Sequence, residues 1–244
     1  MKALRQWLLL CLLALIGLQL FFALRVVAMN VIAPESTSFE RTQIWQILLR
    51  EHRLPWRQEW VPLPDISRQL QRAVLASEDD AFASHGGIRW DAIEKAWDKN
   101  TKAQARVEKQ ATQRPGKPAS APKIVGGSTI TQQLAKNLFL SGERTLLRKG
   151  QEMLITLMLE AALPKQRILE IYLNSVEWGE GVFGAQAAAQ HYFRKPAAQL
   201  TAWEAARLAV MLPRPRYFEK LPQSPYLAER AEVIAGRMNS VVLP

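Results

Sequence analysis

From Leu8 to Leu24 the chain carries no charged side chain, and Gln19 is the one strongly polar residue in that run. With Trp7 and Val26–Val27 at its flanks it reaches roughly 20 residues, enough at about 1.5 Å per residue to cross ~30 Å of hydrocarbon. Hydrocarbon tolerates only structures that satisfy their own backbone, so one transmembrane helix is predicted over 8–28, after a short tail over 1–7. Lys2 and Arg5 precede the run and favour a cytoplasmic N-terminus. The far end lacks an A-x-A cleavage site, so an uncleaved, single-pass anchor is expected. Everything after it is then expected outside the cytoplasmic membrane and close to lipid.

An anchored chain with 32 Lys+Arg against 22 Asp+Glu needs an anionic partner. Three classes compete: nucleic acid, acidic lipid and a phosphorylated substrate. The basic stretch 98–123 has no interleaved aromatics and follows an anchor, which favours lipid headgroups over nucleic acid. GGSTITQQ lacks the Gly-Lys-Ser/Thr of a nucleotide-binding P-loop. Cys11 is the only cysteine and lies in the apolar run, so neither a disulfide framework nor a cysteine zinc site is available.

Residues 29–64 read as a linker with one short amphipathic piece over 43–50. Pro55, Pro62 and Pro64 keep the later part extended. From Asp65, a candidate cap, the pattern turns helical. Ile66, Leu70 and Val74 recur every four residues, and Glu78 and Phe82 continue the row. Glu78 therefore sits on an apolar ridge near a helix C-terminus, where desolvation and the dipole both push a carboxyl pKa up. Asp79 points elsewhere. Thr129-x-x-Gln132 fits a capping box, with Ile130, Leu134 and Leu138 on one side of the helix. Thr129, Gln133 and Asn137 form a polar row on the other, beside Lys136. A third helix puts Glu152 on a mostly apolar row with Arg148 and Lys149 just before it. Pro164 stops that helix and can open the next. A second capping box, Thr201-x-x-Glu204, opens a later one. GEGVFG reads as a turn, no strand alternation or fixed-period repeat is visible, and the soluble part is predicted to be mostly α. The basic stretch is expected to be an insertion over 98–124 with a short exposed helix over 101–113.

Two carboxylates on apolar ridges of separate helices are the kind of pair that handles proton transfer around a glycosidic bond. The alternative is two ordinary helical glutamates, each relieved by a salt bridge. His85 lacks a His-Glu-x-x-His context, so an orienting or structural role is favoured over metal ligation. Asp79 and Asp80 read as solvated helix-end acids before magnesium ligands, and no metal ligand is assigned. Lys136, Arg144, Arg148 and Lys149 suit phosphate or diphosphate, or else form a solvated basic face.

EDDAFASHGG, GGSTITQQLAKNLF, RKGQEMLITLMLE and KQRILEIYLN occur in that order. Together they resemble the blocks of the peptidoglycan glycosyltransferases, the family-51 module of bifunctional penicillin-binding proteins. The resemblance spans about residues 65–218. The chain ends soon after WEAARLAVMLPRP, which matches the monofunctional members and leaves no room for a transpeptidase. It implies a lysozyme-like α-helical catalytic domain over 65–244, with a small membrane-proximal jaw lobe. It implies an enzyme that polymerises lipid II into β-1,4 glycan strands, inverting at C1 of the lipid-linked donor and releasing undecaprenyl diphosphate. Glu78 would be the general base and Glu152 would assist leaving-group departure. Lys136, Arg144, Arg148 and Lys149 would hold diphosphates. Asp79, His85, Thr129, Gln133 and Asn137 match motif positions around the substrate. A divalent cation, Mg or Mn, would act mainly through the substrate diphosphate, with no organic cofactor. Expected partners are lipid II, the lipid-linked glycan chain and membrane lipids. Cell-division or elongation proteins are further candidates, and nucleic acid is not a partner. The expected place is the inner membrane, with the catalytic domain periplasmic. The family's jaw is hydrophobic, whereas 98–124 here is basic with Trp97 as its main apolar handle, so surface contact is expected there more than insertion. A lytic hydrolase would have no use for cations beside the second acid, and an inactive scaffold would not need both glutamates.

Overall fold

The computed structural model describes residues 1–52, 54–113, 127–143 and 145–244, the side chains of residues 51 and 108–113 excepted. Arg144 and residues 114–124 of the expected basic insertion lie outside the described residues. Among the rest, the expectation of a mostly α-helical chain is met.

Helix α1 (Lys2–Ala28) is long and apolar enough to cross a membrane. Its last turns join the protein core through Phe22, Val26 and Met29. The stretch 29–64 is more than a linker. It holds α2 (Ser38–Glu51), opened by a Thr37/Glu40 capping box, and β1 (Arg57–Gln58). Ile47 is fully buried, and the buried Glu40 accepts from Gln58 Nε2 at 2.9 Å.

Helix α3 (Arg68–Glu78) starts later than Asp65 suggests. Asp65 sits in a 3-10 turn, Leu63–Asp65, and Ser67 is the cap, its hydroxyl accepting from Leu70 N at 3.1 Å. The helix ends at Glu78, so Phe82 is buried from a separate 3-10 turn rather than the next step of the ridge. Helix α4 (Trp90–Gln113) is one element, longer than the 101–113 expected, with Trp90 and Trp97 exposed and Ala96 buried.

Three helices then pack together. These are α5 (Ile130–Phe139), α6 (Leu146–Ala162) and α7 (Lys165–Ser175), with α5 against both α6 and α7. Pro164 does end one and open the next. The GEGVFG turn contains short strands instead: β2 (Glu177–Gly179) and β3 (Val182–Phe183). Strand order is β1-β3-β2, with β1 parallel and β2 antiparallel to β3. Strands of two or three residues are too short to show alternation. At Gly181 (φ +71°) a Cβ would stand 2.1 Å from the Pro55 carbonyl oxygen, so only glycine lets β1 approach. The chain closes with α8 (Ala185–Phe193), α9 (Ala202–Met211), α10 (Pro215–Glu219) and α11 (Pro225–Arg237). Helix α9 carries the expected Thr201/Glu204 box and packs on α3 and α11. Its buried Ala205, Ala206 and Ala209 let the helix axes come close.

α1 and α6 run side by side. Gln19 and Gln151 exchange two amide hydrogen bonds, at 2.9 and 3.0 Å. Eleven residues further on along both, Asn30 Nδ2 donates to Ala162 O at 2.9 Å, so the two helices are parallel. Phe22 packs edge-on against Phe139, with ring centroids 5.3 Å apart. Leu147, Leu154 and Leu157 of α6, with Leu146 before them, stay exposed in a stripe.

Candidate active site

Glu78 ends α3 half-buried. Its Oε2 accepts from Gln133 Nε2 of α5 at 2.9 Å. The amide of Gln133 is fixed in that sense by Tyr172 of α7, whose hydroxyl donates to Gln133 Oε1 at 3.0 Å. Three helices thus deliver a chain of neutral donors to one carboxylate. Burial raises the Glu78 pKa above the usual carboxylate value. The Gln133 and Ser77 hydrogen bonds pull against that, and the Asp79 charge adds to it. Burial also holds the Tyr172 phenol well above its usual range, with the Glu78 and Asp79 charges adding to the effect, so it remains a neutral donor. Sequence reasoning passed over Tyr172. The signal was there: a hydroxyl on the buried, otherwise apolar face of Ile168, Leu169 and Ile171 needs a partner.

Asp79 is not solvated. It is 4% exposed, accepts from Ile130 N at 3.1 Å at the start of α5, and accepts from His85 Nε2 at 2.9 Å. His85 Nδ1 in turn accepts from Gly87 N at 3.0 Å, which fixes the Nε2–H tautomer. Gly87 (φ +84°) has no room for a Cβ, with Glu160 Cγ 2.6 Å away. Thr129 caps α5 as expected and donates to Gly87 O at 2.5 Å. Asp79, His85, Gly87 and Thr129 therefore lock the start of α5 to the end of α3, which places Gln133 opposite Glu78. Asp80 is the solvated member, paired with Arg89 at 2.8 Å and Arg237 at 3.4 Å. Asp79→Ala would leave the Ile130 amide and His85 unpaired in a buried place. It should lower stability by about 3 kcal/mol, read as a drop in the thermal midpoint.

Glu152 sits on α6, 3% exposed, with its two oxygens held by Arg148 Nη1 at 2.8 Å and by Lys149 Nζ. One anion between two cations keeps a net positive charge. Arg148 is mostly buried, with its Nε unpartnered among the described residues, and Lys149 is more open. Lys136 and Asn137 lie on α5, half-buried and buried respectively. A cavity of about 220 Å³ opens between α4 and the start of α5. It is lined by Trp97, Asn100, Ser128, Gln132 and Lys149. Gln132 Oε1 is used in the cap, but its buried Nε2 has no partner among the described residues. The capping-box reading had absorbed that residue.

The described residues contain no cluster of three His, Cys, Asp or Glu side chains able to hold a metal ion. Asp79, the nearest candidate by sequence, spends its oxygens on His85 and Ile130. These residues do not build a protein-held cation site.

The described residues thus hold one half-buried carboxylate on neutral donors, Glu78, and one buried carboxylate between two cations, Glu152. A transglycosylase family profile matches residues 47–239. The chain is 52% identical over 231 residues to the biosynthetic peptidoglycan transglycosylase of Burkholderia thailandensis, covering 95% of this chain and 84% of the relative. Its counterpart from Burkholderia pseudomallei is 51% identical over the same shares. That from Burkholderia ambifaria is 50% identical, covering 95% and 87%.

Proposed function

The chain belongs to the transglycosylase family, and from that premise we propose that it polymerises lipid II into β-1,4 glycan at the face of the inner membrane. The acceptor 4-hydroxyl attacks C1 of the lipid-linked donor chain, and its proton passes to Glu78. The bond from C1 to the diphosphate breaks on the opposite face, and undecaprenyl diphosphate leaves. Configuration inverts from α to β in one displacement, so no covalent glycosyl-enzyme forms.

The observation that supports this reading best is the division of labour between the two acids. Among the described residues Glu78 is held by neutral donors, so its lone pairs remain basic. Glu152 is bound to two cations and acts through them, presenting Arg148 and Lys149 to the diphosphate. Lys136 and Arg144 are assigned to the same charge. The 220 Å³ cavity beside Lys149 then accepts part of the substrate, with the Gln132 amide as a donor. Any Mg or Mn enters on the substrate diphosphate.

Lys2 and Arg5 keep the N-terminus in the cytoplasm and the lobe periplasmic. Because α6 runs parallel to α1, with Gln151 beside Gln19 and Ala162 beside Asn30, its exposed leucine stripe lies level with residues 14–25 of the apolar helix. Membrane contact then centres on α6 and not on the basic α4 region.

The test is the purified chain in proteoliposomes with labelled lipid II, with and without a divalent cation. Glycan polymer should form, and faster with the cation. Cleavage of preformed glycan without polymer would instead mark a hydrolase, and neither product an inactive scaffold.

A further inference from the structure

The anchor is joined to the catalytic helix by a polar pair in an apolar setting. Gln19 is the single strongly polar residue between Leu8 and Leu24, and its side chain meets Gln151, the residue before Glu152. Both amides use one donor and one acceptor on each other. The same two helices carry apolar residues near the pair: Phe22 packed on Phe139, the buried Val26, and the exposed Leu147 and Leu154. In hydrocarbon, apolar surface alone sets helix register weakly, because lipid tails are as apolar as leucine. A reciprocal amide pair sets it strongly, since a slip of one turn strands two amides in lipid.

We propose that Gln19 and Gln151 are positioning residues that fix the depth of Arg148, Lys149 and Glu152 in the bilayer. The second contact point, Asn30 on Ala162 O, lies at the far end of the same pairing. Together they prevent both sliding and rotation of α6 against the span. The consequence rests on the function proposed above: the pairing sets Arg148, Lys149 and Glu152 level with Ile16, Gly17 and Leu20 of α1, so the anchor and the receptor for the lipid-linked diphosphate are held as one body. Neither glutamine touches substrate, and each acts through the position of α6.

The test has two independent arms. In proteoliposomes, Gln19→Leu and Gln151→Leu should each raise KM for the lipid-linked substrate about tenfold, within the range expected for one interhelical amide pair, with kcat little changed. The double variant should be no worse than either single one. In detergent micelles, which impose no fixed depth, the variants should match the unsubstituted chain to within about twofold. Equal losses in both media, or none in proteoliposomes, overturn the proposal. The second arm needs no activity. In a Cys11→Ser background, Leu147→Cys carries a fluorophore whose quenching by nitroxide lipids reports depth. Adding Gln19→Leu should broaden or shift that depth profile, and an unchanged profile overturns the proposal. A chain that never polymerises lipid II yet shows the depth shift would refute the proposed function and leave the positioning intact.

Discussion

Glu78→Gln should lower polymerisation by about a thousandfold while the fold survives, the scale expected when a positioned base is removed. The substitution is nearly isosteric, and the new amide oxygen still accepts from Gln133 Nε2, so the link to Tyr172 stays in place. Only basicity is lost. Two further readouts follow from the raised pKa. In the unsubstituted enzyme, kcat/KM should fall as pH drops through a value above that of an ordinary glutamate. Stability moves the opposite way. A carboxyl whose folded pKa is raised favours its neutral form in the native state, so its stabilising effect is complete below the unfolded pKa of about 4.5 and lost as pH rises through the folded value. Glu78→Gln should therefore raise the neutral-pH thermal midpoint by a few degrees, and the gain should vanish near pH 4. Turnover like that of the unsubstituted enzyme would end the assignment of Glu78 as base.

Arg148→Ala should reduce kcat/KM for the lipid-linked donor by about a hundredfold or more, because developing charge on the leaving diphosphate loses a buried, preorganised cation. Arg148→Lys should recover only part of this. An ammonium cannot hold Glu152 and a phosphate oxygen with one planar fork. The substitution also removes one of the two partners of a buried carboxylate, but Lys149 remains on the other oxygen. A loss of about 1–2 kcal/mol is expected, below the 3–5 kcal/mol of a fully orphaned buried charge. Circular dichroism separates the two effects. A donor-specific defect in a folded chain supports the assignment, and an unfolded chain makes Arg148 structural.

What could be read from the chain followed the range of the interactions involved. The capping boxes at Thr129 and Thr201, the break at Pro164 and the row carrying Glu152 all rest on contacts within one turn of helix. Each appears where the spacing put it. Glu78 was singled out by phase, and the structure keeps it half-buried, although the helix begins at Arg68, after the Ser67 cap, and ends at Glu78 itself. Contacts between distant segments left no periodic trace. The sheet pairs Arg57–Gln58 with Val182–Phe183, and no local pattern announces so short a strand. Asp79 looked wet because it follows the helix, yet its partners lie six and fifty-one residues on. Tyr172 and Gln133 share a hydrogen bond across thirty-nine residues, so neither end indicates the other.

The parallel seat of β1 against β3 has a consequence in time. A chain synthesised from its N-terminus presents Arg57–Gln58 long before Val182–Phe183, and Val61 before the Asn174 side chain that binds both its N–H and its C=O at 2.9 Å. At synthesis rates of about 5–20 residues per second, the early strand waits on the order of ten seconds for its partner. Through that interval the buried face of α3 lacks α9 and α11, which later cover it. The lobe must therefore close late, once α9 and α11 have followed the strand pair.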